Sequence, residues 1–169
     1  MKITLKDGSV KEYASAMSVI DIAKDISEGL ARMACAAELN GKVVDLRTIV
    51  EEDSELSILT FNDDAGKAAY RHTASHVLAE AVKRLYPEAK CAIGPSIDTG
   101  FYYDFDMEHR LVTEDLKAIE KLMKKMIGRK VPFERFELSR EEAEKMLREA
   151  GQPYELEPLA DVLHQVLGG

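Results

Sequence analysis

The first thirty residues change from an alternating pattern to a helical one. Short strand-like runs flank Lys6-Asp7-Gly8-Ser9, and an Asp-Gly pair between alternating apolar positions predicts a β-hairpin. The next stretch places apolar residues on one face of a helix: Val19, Ile20, Ala23 and Ile26. Gly29 follows them, where it would cap the C-terminus of that helix.

A second strand pair completes this segment. Asn40-Gly41 in "CAAELNGKVVDL" is another turn signal, and "ELSILTF" predicts a final strand. The resulting ββαββ order in about sixty residues predicts a β-grasp-like domain at 1–62, with one helix across a mixed sheet. The polar stretch from Asn62 to Ala68, which contains a glycine, predicts a domain boundary or tight linker before a second domain at 63–169.

The second segment combines helical and strand periods, which makes the chain α+β as a whole. Its opening helix carries an apolar face of Ala74, Val77, Leu78, Ala81, Val82 and Leu85. "KCAIG" predicts a strand and "PSIDTG" a turn or loop. In "FYYDFDM", Phe101, Tyr103 and Phe105 alternate with more polar residues, as in a half-buried strand.

Two further helices and two strands are expected beyond this point. Thr113 is placed to cap a helix with the apolar stripe Leu116, Ile119, Met123, Met126 and Ile127. Ser139 and Glu142 predict a capping box for a helix that ends at Gly151. "VPFERFEL" and "QPYELEPL" predict strands.

Composition narrows the class of protein. The 169 residues carry a net charge of -8, which argues against a protein that coats nucleic acid with a basic stripe, although 23 lysines and arginines leave room for a local RNA contact. No apolar run approaches the roughly 18 residues of a membrane span. Cys35 and Cys91 form no CxxC pair, so a disulfide framework is not expected. These properties predict a cytoplasmic protein without a membrane segment.

His72 and His76 are the candidate chemical residues. They lie one helical turn apart and nearly opposite the predicted apolar face, so they are not core histidines. Ala69 and Ala79 flank them with little bulk, which leaves open space above the pair. Spacing alone favours a solvent-facing pair. Histidines at i,i+4 can also form one edge of a zinc site, but they supply only part of its ligands.

The residues do not supply an obvious second half of a metal site. Zinc takes about four ligands, and an HExxH motif is excluded because Thr73 follows His72. Cys91, His109 and His164 lie elsewhere and form no recognisable second half-site. From the residues alone, the pair remains an incomplete site.

Taken in order, these stretches resemble the N-terminal part of bacterial threonyl-tRNA synthetases. The similarity to the TGS domain of that family rests on "LKDGS" and "ELNGKVVDL". The similarity to the start of its editing domain rests on "RHTASHVLAEAVKRLYP", "AIGPSIDTGFYYDFD" and "RFELSREEAEKML". Alanyl-tRNA synthetases and their free-standing editing relatives share the HxxxH helix but have no preceding TGS domain.

The resemblance implies a hydrolytic role for the histidines. The family ligates threonine to its tRNA using ATP and hydrolyses mischarged seryl-tRNA. A missing methyl gives only about 1–3 kcal/mol of discrimination, so a second site is required. His72 and His76 match the two histidines of the editing pocket, where they would hold or polarise the attacking water and the terminal ribose. Gly94 and Tyr103 match substrate-binding positions near that pocket.

Two departures from the family pattern limit what the chain is expected to do alone. No cysteine follows Cys91, so the Cys-x-x-x-His half of the editing site is missing, and Glu155 replaces a family lysine. After Pro158 the resemblance ends. We therefore expect a TGS domain plus an incomplete editing domain that neither aminoacylates nor edits efficiently. Zinc, ATP, magnesium and a homodimer are expected only for the complete family protein, and no metal is expected here.

Two other interpretations remain open on the sequence. The chain is alternatively a non-catalytic TGS-containing module that binds RNA or a partner protein, for which threonine-specific tRNA is the expected partner. The third interpretation is a TGS-type regulatory domain fused to another enzyme, such as a nucleotide kinase.

Overall fold

A computed structural model describes residues 1–92, 94–97, 99–130 and 137–151. The chain divides into two compact units, Met1–Arg71 and His72–Gly169, and the division falls inside a helix. The domain boundary predicted at residue 62 stays a prediction. The helix Asp64–Leu85 has residues in both units and therefore does not mark where either domain ends.

The first unit is built on a mixed five-stranded sheet. Its elements are β1 Lys2–Leu5, β2 Val10–Glu12, β3 Met17–Ser18, α1 Val19–Ile26, α2 Glu28–Met33, β4 Ala34–Leu39, β5 Lys42–Val44, β6 Ile49–Val50 and β7 Ser54–Thr60. The sheet order is β2-β1-β7-β4-β5, with β1 parallel to β7 and the other neighbours antiparallel, while β3 pairs with β6. The predicted β-grasp fold with a mixed sheet is confirmed, although the observed order adds strands and the second helix α2 to the predicted ββαββ.

Both predicted turns are confirmed. Gly8 has a φ of 82° and its N–H donates to the Leu5 carbonyl at 2.8 Å, which closes the β1–β2 hairpin. Asn40 and Gly41 have φ values of 49° and 77° between β4 and β5. Positive φ at both central residues is what a type I′ hairpin requires.

The core of the first unit lies between α1 and the sheet. Its fully buried members are Ile3, Val19, Ile22, Ala37, Val50 and Leu56.

The predicted cap at Gly29 is wrong, because Gly29 lies inside α2. Ser27 instead ends α1 and begins α2, and its hydroxyl accepts hydrogen bonds from the N–H groups of Gly29 and Leu30. A serine that caps the next helix explains why the chain can turn there without glycine.

The polar stretch after β7 does not form an extended linker. Helix α3 spans Asp64–Leu85, so most of the stretch is helical. The Asp63 carboxylate accepts a hydrogen bond from the Thr60 N–H at 2.8 Å just before the helix begins. A Cβ at Gly66 would collide with the Thr60 backbone carbonyl. Glycine is therefore required here for close packing rather than for flexibility.

Within its described residues, the second unit contains four short strands in two pairs. β8 Lys90–Cys91 pairs with β11 Phe105–Asp106, and β9 Ser96–Ile97 pairs with β10 Gly100–Phe101. The strand predicted over "FYYDFDM" is thus two short strands with an irregular stretch between them. The alternation itself is confirmed, since Phe101, Tyr103 and Phe105 are half-buried while Tyr102, Asp104 and Asp106 are exposed.

Two helices complete the described part of this unit, α4 Thr113–Gly128 and α5 Arg140–Glu149. The buried cluster of the unit comprises Ala81, Val82, Ala89 and Ile119. The predicted capping box of α5 is confirmed, with the Ser139 N–H donating to the Glu142 carboxylate at 2.9 Å. The strand predicted over "QPYELEPL" and residues 131–136 of "VPFERFEL" lie outside the described residues.

The cap predicted for α4 is wrong. Thr113 is the first helical residue, and Val112 occupies the capping position without a side-chain hydrogen bond. The Asp115 side chain caps the helix instead, because its carboxylate accepts a hydrogen bond from the Val112 N–H at 2.9 Å. It also accepts from the Tyr86 hydroxyl at 2.7 Å and pairs with His109 Nε2 at 2.8 Å. The His109 and Tyr86 rings stack with centroids 5.0 Å apart.

These contacts predict an acid-sensitive fold. The Tyr86 hydroxyl, the Val112 N–H and His109 lower the pKa of Asp115 to about 2 from 3.8. A folded-state pKa below the unfolded value stabilises the fold above the unfolded pKa, and this stability is lost as pH falls from about 4 towards 2. We expect Asp115→Asn to weaken that pH dependence of the free energy of unfolding, measured by urea denaturation. Glu114→Gln, which alters an exposed acid in the same turn, is the control, and an equal effect of both variants would contradict the assignment.

Candidate functional site

Helix α3 holds His72 and His76 side by side on its surface. Their Nε2 atoms are 3.1 Å apart, and the rings meet edge to face with centroids 4.5 Å apart. Both side chains are exposed. The i,i+4 spacing puts them one above the other on the same face, as the sequence predicted.

The short Nε2–Nε2 distance fixes how protons are arranged between the rings. One Nε2 must donate and the other accept, because two N–H groups cannot face each other at this distance. Although the His76 side chain is exposed, partial desolvation of its ring, and then the nearby charge of His72, lower its pKa. His76 is therefore favoured in its neutral form, which can act as a general base or orient a water.

The surface of α3 beside the histidine pair is more buried than predicted. Ser75 is fully buried, and its hydroxyl donates to the His72 carbonyl at 2.7 Å. Ala79 is only 7% exposed and is therefore covered, whereas Leu85 on the predicted apolar face is 39% exposed. Burial on α3 thus shifts towards Ser75 and Ala79, so the open space predicted next to Ala79 is not present. Ala69 is half-buried.

Gly94 and Tyr103 lie against each other. A Cβ at Gly94 would overlap the Tyr103 ring, so glycine is required where the backbone meets this side chain. Tyr103 in turn stacks on Phe105, with centroids 4.9 Å apart and an interplanar angle of 19°. The two positions that the resemblance assigned to one pocket are therefore neighbours. Their role, like that of the histidine pair, stays a prediction.

Metal ligands are not assembled within the described residues. No group of three or more His, Cys, Asp or Glu side chains in that part of the chain could hold a metal ion. Cys91 is buried on β8, and His109 pairs with Asp115. The donors that the described residues place around His72 and His76 are too few for zinc, which takes about four ligands. His164 and Glu155 lie outside the described residues.

A groove on the first unit has no counterpart in the sequence predictions. It has a volume of about 560 Å³ and is lined in part by Glu38, Glu55, Asp63 and Asp64. Lys6 is its one lysine, and its Nζ lies 3.8 Å from Asp63. The lining residues come from separate strands and from the start of α3, so no local pattern could reveal them. An acidic lining repels phosphate, which makes this groove unsuitable for RNA.

Comparison with known proteins finds relatives that are similar over both parts of the chain. Residues 1–60 match the TGS domain. Threonine–tRNA ligase of Clostridioides difficile (strain 630) is 54% identical over 162 residues, which cover 96% of this chain and 25% of the relative. The ligases of Acetivibrio thermocellus and Clostridium botulinum (strain Eklund 17B) are 54% and 55% identical over 96% of the chain.

The chain is thus similar to the N-terminal part of threonine–tRNA ligases, and its residues 1–60 match the TGS domain. It spans about a quarter of the length of these relatives. Within the described residues, no helix has the length and apolar character needed to cross a membrane.

The contact between Gly94 and Tyr103 predicts a steric coupling. Gly94→Ala should destabilise the fold by about 1–3 kcal/mol, because the new methyl must displace the stacked Tyr103 ring. On a Tyr103→Ala background the same change should cost much less, since the overlap is gone. Urea denaturation of the four proteins in this double-mutant cycle measures the coupling. Equal costs on both backgrounds would contradict the contact.

The lowered pKa of His76 predicts a stability change near neutral pH. Its folded-state pKa lies below the unfolded value of 6.5, so the unfolded chain binds more protons as pH falls. We expect full stability above pH 6.5 and a loss as pH falls through the folded-state pKa. His76→Gln should flatten this part of the stability curve, and ring-proton NMR should show His76 titrating below 6.5. A normal titration would rule out the proposed desolvation.

Proposed function

We propose that this chain, as the N-terminal part of a threonine–tRNA ligase, contributes His72 and His76 to a site that hydrolyses mischarged seryl-tRNA. The observation that carries the proposal is the 54% identity to such ligases over 96% of the chain, which includes the helix with both histidines. The edge-to-face pair supports it, because two exposed imidazoles that share one proton suit the activation of a water.

The chemistry needed is cleavage of the ester between the amino acid and the terminal ribose. In the proposed step, one imidazole accepts a proton from the water as the water oxygen bonds to the ester carbonyl carbon, and the other holds the neighbouring ribose hydroxyl by a hydrogen bond. The C–O bond to the ribose then breaks, and the imidazolium returns its proton to the leaving ribose oxygen. In this proposal Gly94 and Tyr103 border the substrate together, because the missing Cβ of Gly94 leaves room for the Tyr103 ring against the backbone. A second site of this kind is needed because serine and threonine differ by one methyl, worth only about 1–3 kcal/mol.

The partner in this proposal is threonine-specific tRNA, and the place of action is the cytoplasm. ATP with magnesium, and a structural zinc, belong in this proposal to the aminoacylation part of the whole ligase. The described residues of this chain receive no metal in the proposed step, since their donor sets do not assemble three ligands. A homodimer is proposed only for the whole ligase.

A chimera tests the proposed role without relying on the chain alone. The matching segment of the Clostridioides difficile ligase is replaced by this chain, and hydrolysis of seryl-tRNA is followed with purified substrate. We expect His72→Asn and His76→Asn each to slow hydrolysis by about 10²-fold or more, since general acid–base groups contribute about 10²–10⁴-fold. Threonine charging by the same chimera should not change.

The matched control is His109→Asn, which removes a histidine that pairs with Asp115 outside the candidate site. It should leave hydrolysis near the rate of the unaltered chimera. If both His72→Asn and His76→Asn hydrolyse seryl-tRNA normally while charging is intact, the proposed role is wrong.

A second candidate is a non-catalytic module that binds RNA or a partner protein. It is favoured by one observation: among the described residues, the rings of His72 and His76 form a hydrogen bond only to each other. Histidine bases are often oriented by a further carboxylate or carbonyl, which is not found in that part of the chain. Normal tRNA binding with hydrolysis unaffected by either histidine variant would favour this candidate.

A further inference from the structure

Helix α4 and the two residues that follow it carry an unusual concentration of positive charge. The residues from Lys121 to Lys130 ("KLMKKMIGRK") include five cations and no carboxylate, in a chain whose net charge is -8. Lys117 adds a sixth cation one turn earlier. All six side chains are exposed: Lys117, Lys121, Lys124, Lys125, Arg129 and Lys130. We call these six residues the α4 basic face.

Packing fixes the direction of this face. Ile119 is 3% exposed, and Leu122, Met123 and Met126 pack against the same buried cluster. At about 100° per residue, Lys121 lies about 160° around the helix from Ile119. The lysines therefore point away from the core because the centre of the apolar stripe is buried, whereas Leu116 and Ile127 at its ends are 57% and 63% exposed.

The positive charge is largely unneutralised. Lys124 pairs with Glu120 at 2.6 Å, within the same helix. No carboxylate of the described residues forms an ion pair with the other five cations of the α4 basic face. A face that served only solubility would usually intersperse charges of both signs, as α5 does with its Arg140–Glu144 and Lys145–Glu149 pairs.

The spacing of three lysines suits a row of phosphates. Lys117, Lys121 and Lys125 follow each other at i,i+4, about 6 Å apart along the helix axis. Successive members turn by only about 40°, so they form one continuous row. Flexible ammonium groups on such a row can neutralise neighbouring phosphates and release condensed counterions, which drives backbone binding to nucleic acid.

We infer that the α4 basic face binds the phosphate backbone of RNA. The inference rests on the proposed function for the choice of RNA, and it assigns the contact to residues outside the histidine pair. A membrane surface fits less well, because a helix that lies in lipid must insert its apolar face, and the centre of that face on α4 is buried in the protein. Contacts of this kind position a nucleic acid without reading its sequence.

The salt dependence of binding tests this inference with the 169-residue chain and a labelled RNA hairpin. The variant carries Lys117→Gln, Lys121→Gln and Lys125→Gln, because glutamine has nearly the same helix propensity as lysine. We expect the slope of log K against log salt to shrink by about three, one per lost phosphate contact. At about 0.1 M salt the affinity should fall at least about tenfold.

The matched control removes the same charge elsewhere, with Lys2→Gln, Lys42→Gln and Lys145→Gln, all exposed lysines on β1, β5 and α5. It should change the slope by less than about one. Circular dichroism checks that both variants are folded. Equal losses in the two variants would mean that diffuse charge binds the RNA and would overturn the inference.

Two other results would also overturn it. One is a lack of RNA binding by the unaltered chain at about 50 mM salt, where phosphate contacts are strongest. The other is binding to phosphatidylserine vesicles, but not to RNA, with the same dependence on the three lysines. Neither result affects the seryl-tRNA hydrolysis assay, which depends on His72 and His76, so failure here is distinguishable from failure of the proposed function.

Discussion

Helices α3 and α4 bury side chains in one apolar cluster, and this burial decides what each helix shows to solvent. Val82 from α3 and Ile119 from α4 are almost completely buried there. A helix turned in this way leaves the histidine pair of α3 in solvent beside the buried Ser75 and Ala79, and it presents the lysines of α4 to water on the side opposite Ile119. Truncating Ile119 to alanine would cost about 2–5 kcal/mol, and it would loosen both surfaces together. Candidate chemistry and candidate RNA contact therefore depend on the same packing.

Features encoded by short-range chemistry were predictable from the sequence. Asn40-Gly41 adopts positive φ because few other residue pairs can, and Ser139 caps α5 because a hydroxyl three residues before Glu142 satisfies a helix terminus. Gly29 and Thr113 show the limit of this reasoning. Each lies one or two residues from a competing cap, and the choice between adjacent caps depends on contacts such as Asp115 with Tyr86 that span distant parts of the chain.

The candidate site also has some features that the sequence could predict and others that it could not. Helical spacing alone places His72 beside His76, so their contact could be predicted. The covering of Ala79 and the exposure of Leu85 could not, because they depend on which elements pack over α3 rather than on its own period. Gly94 and Tyr103 meet across a loop and two short strands, and only a resemblance to a family linked them beforehand. The row of lysines on α4 could be read from the sequence, but its exposure depends on the burial of Ile119 in the core.

The margins of the five-stranded sheet bear on how the protein behaves when concentrated. β2 and β5 are its outer strands; each is only three residues long and each includes a lysine, Lys11 and Lys42. An outer strand offers unpaired backbone groups to any neighbouring molecule. The short length of these strands limits such pairing, and so does the free-energy cost of burying a lysine charge between two molecules. The exposed Val10 and Val43 beside these lysines would otherwise favour self-association through strand addition. Replacing either lysine by a β-branched apolar residue would thus convert a self-limiting sheet into a template for growth.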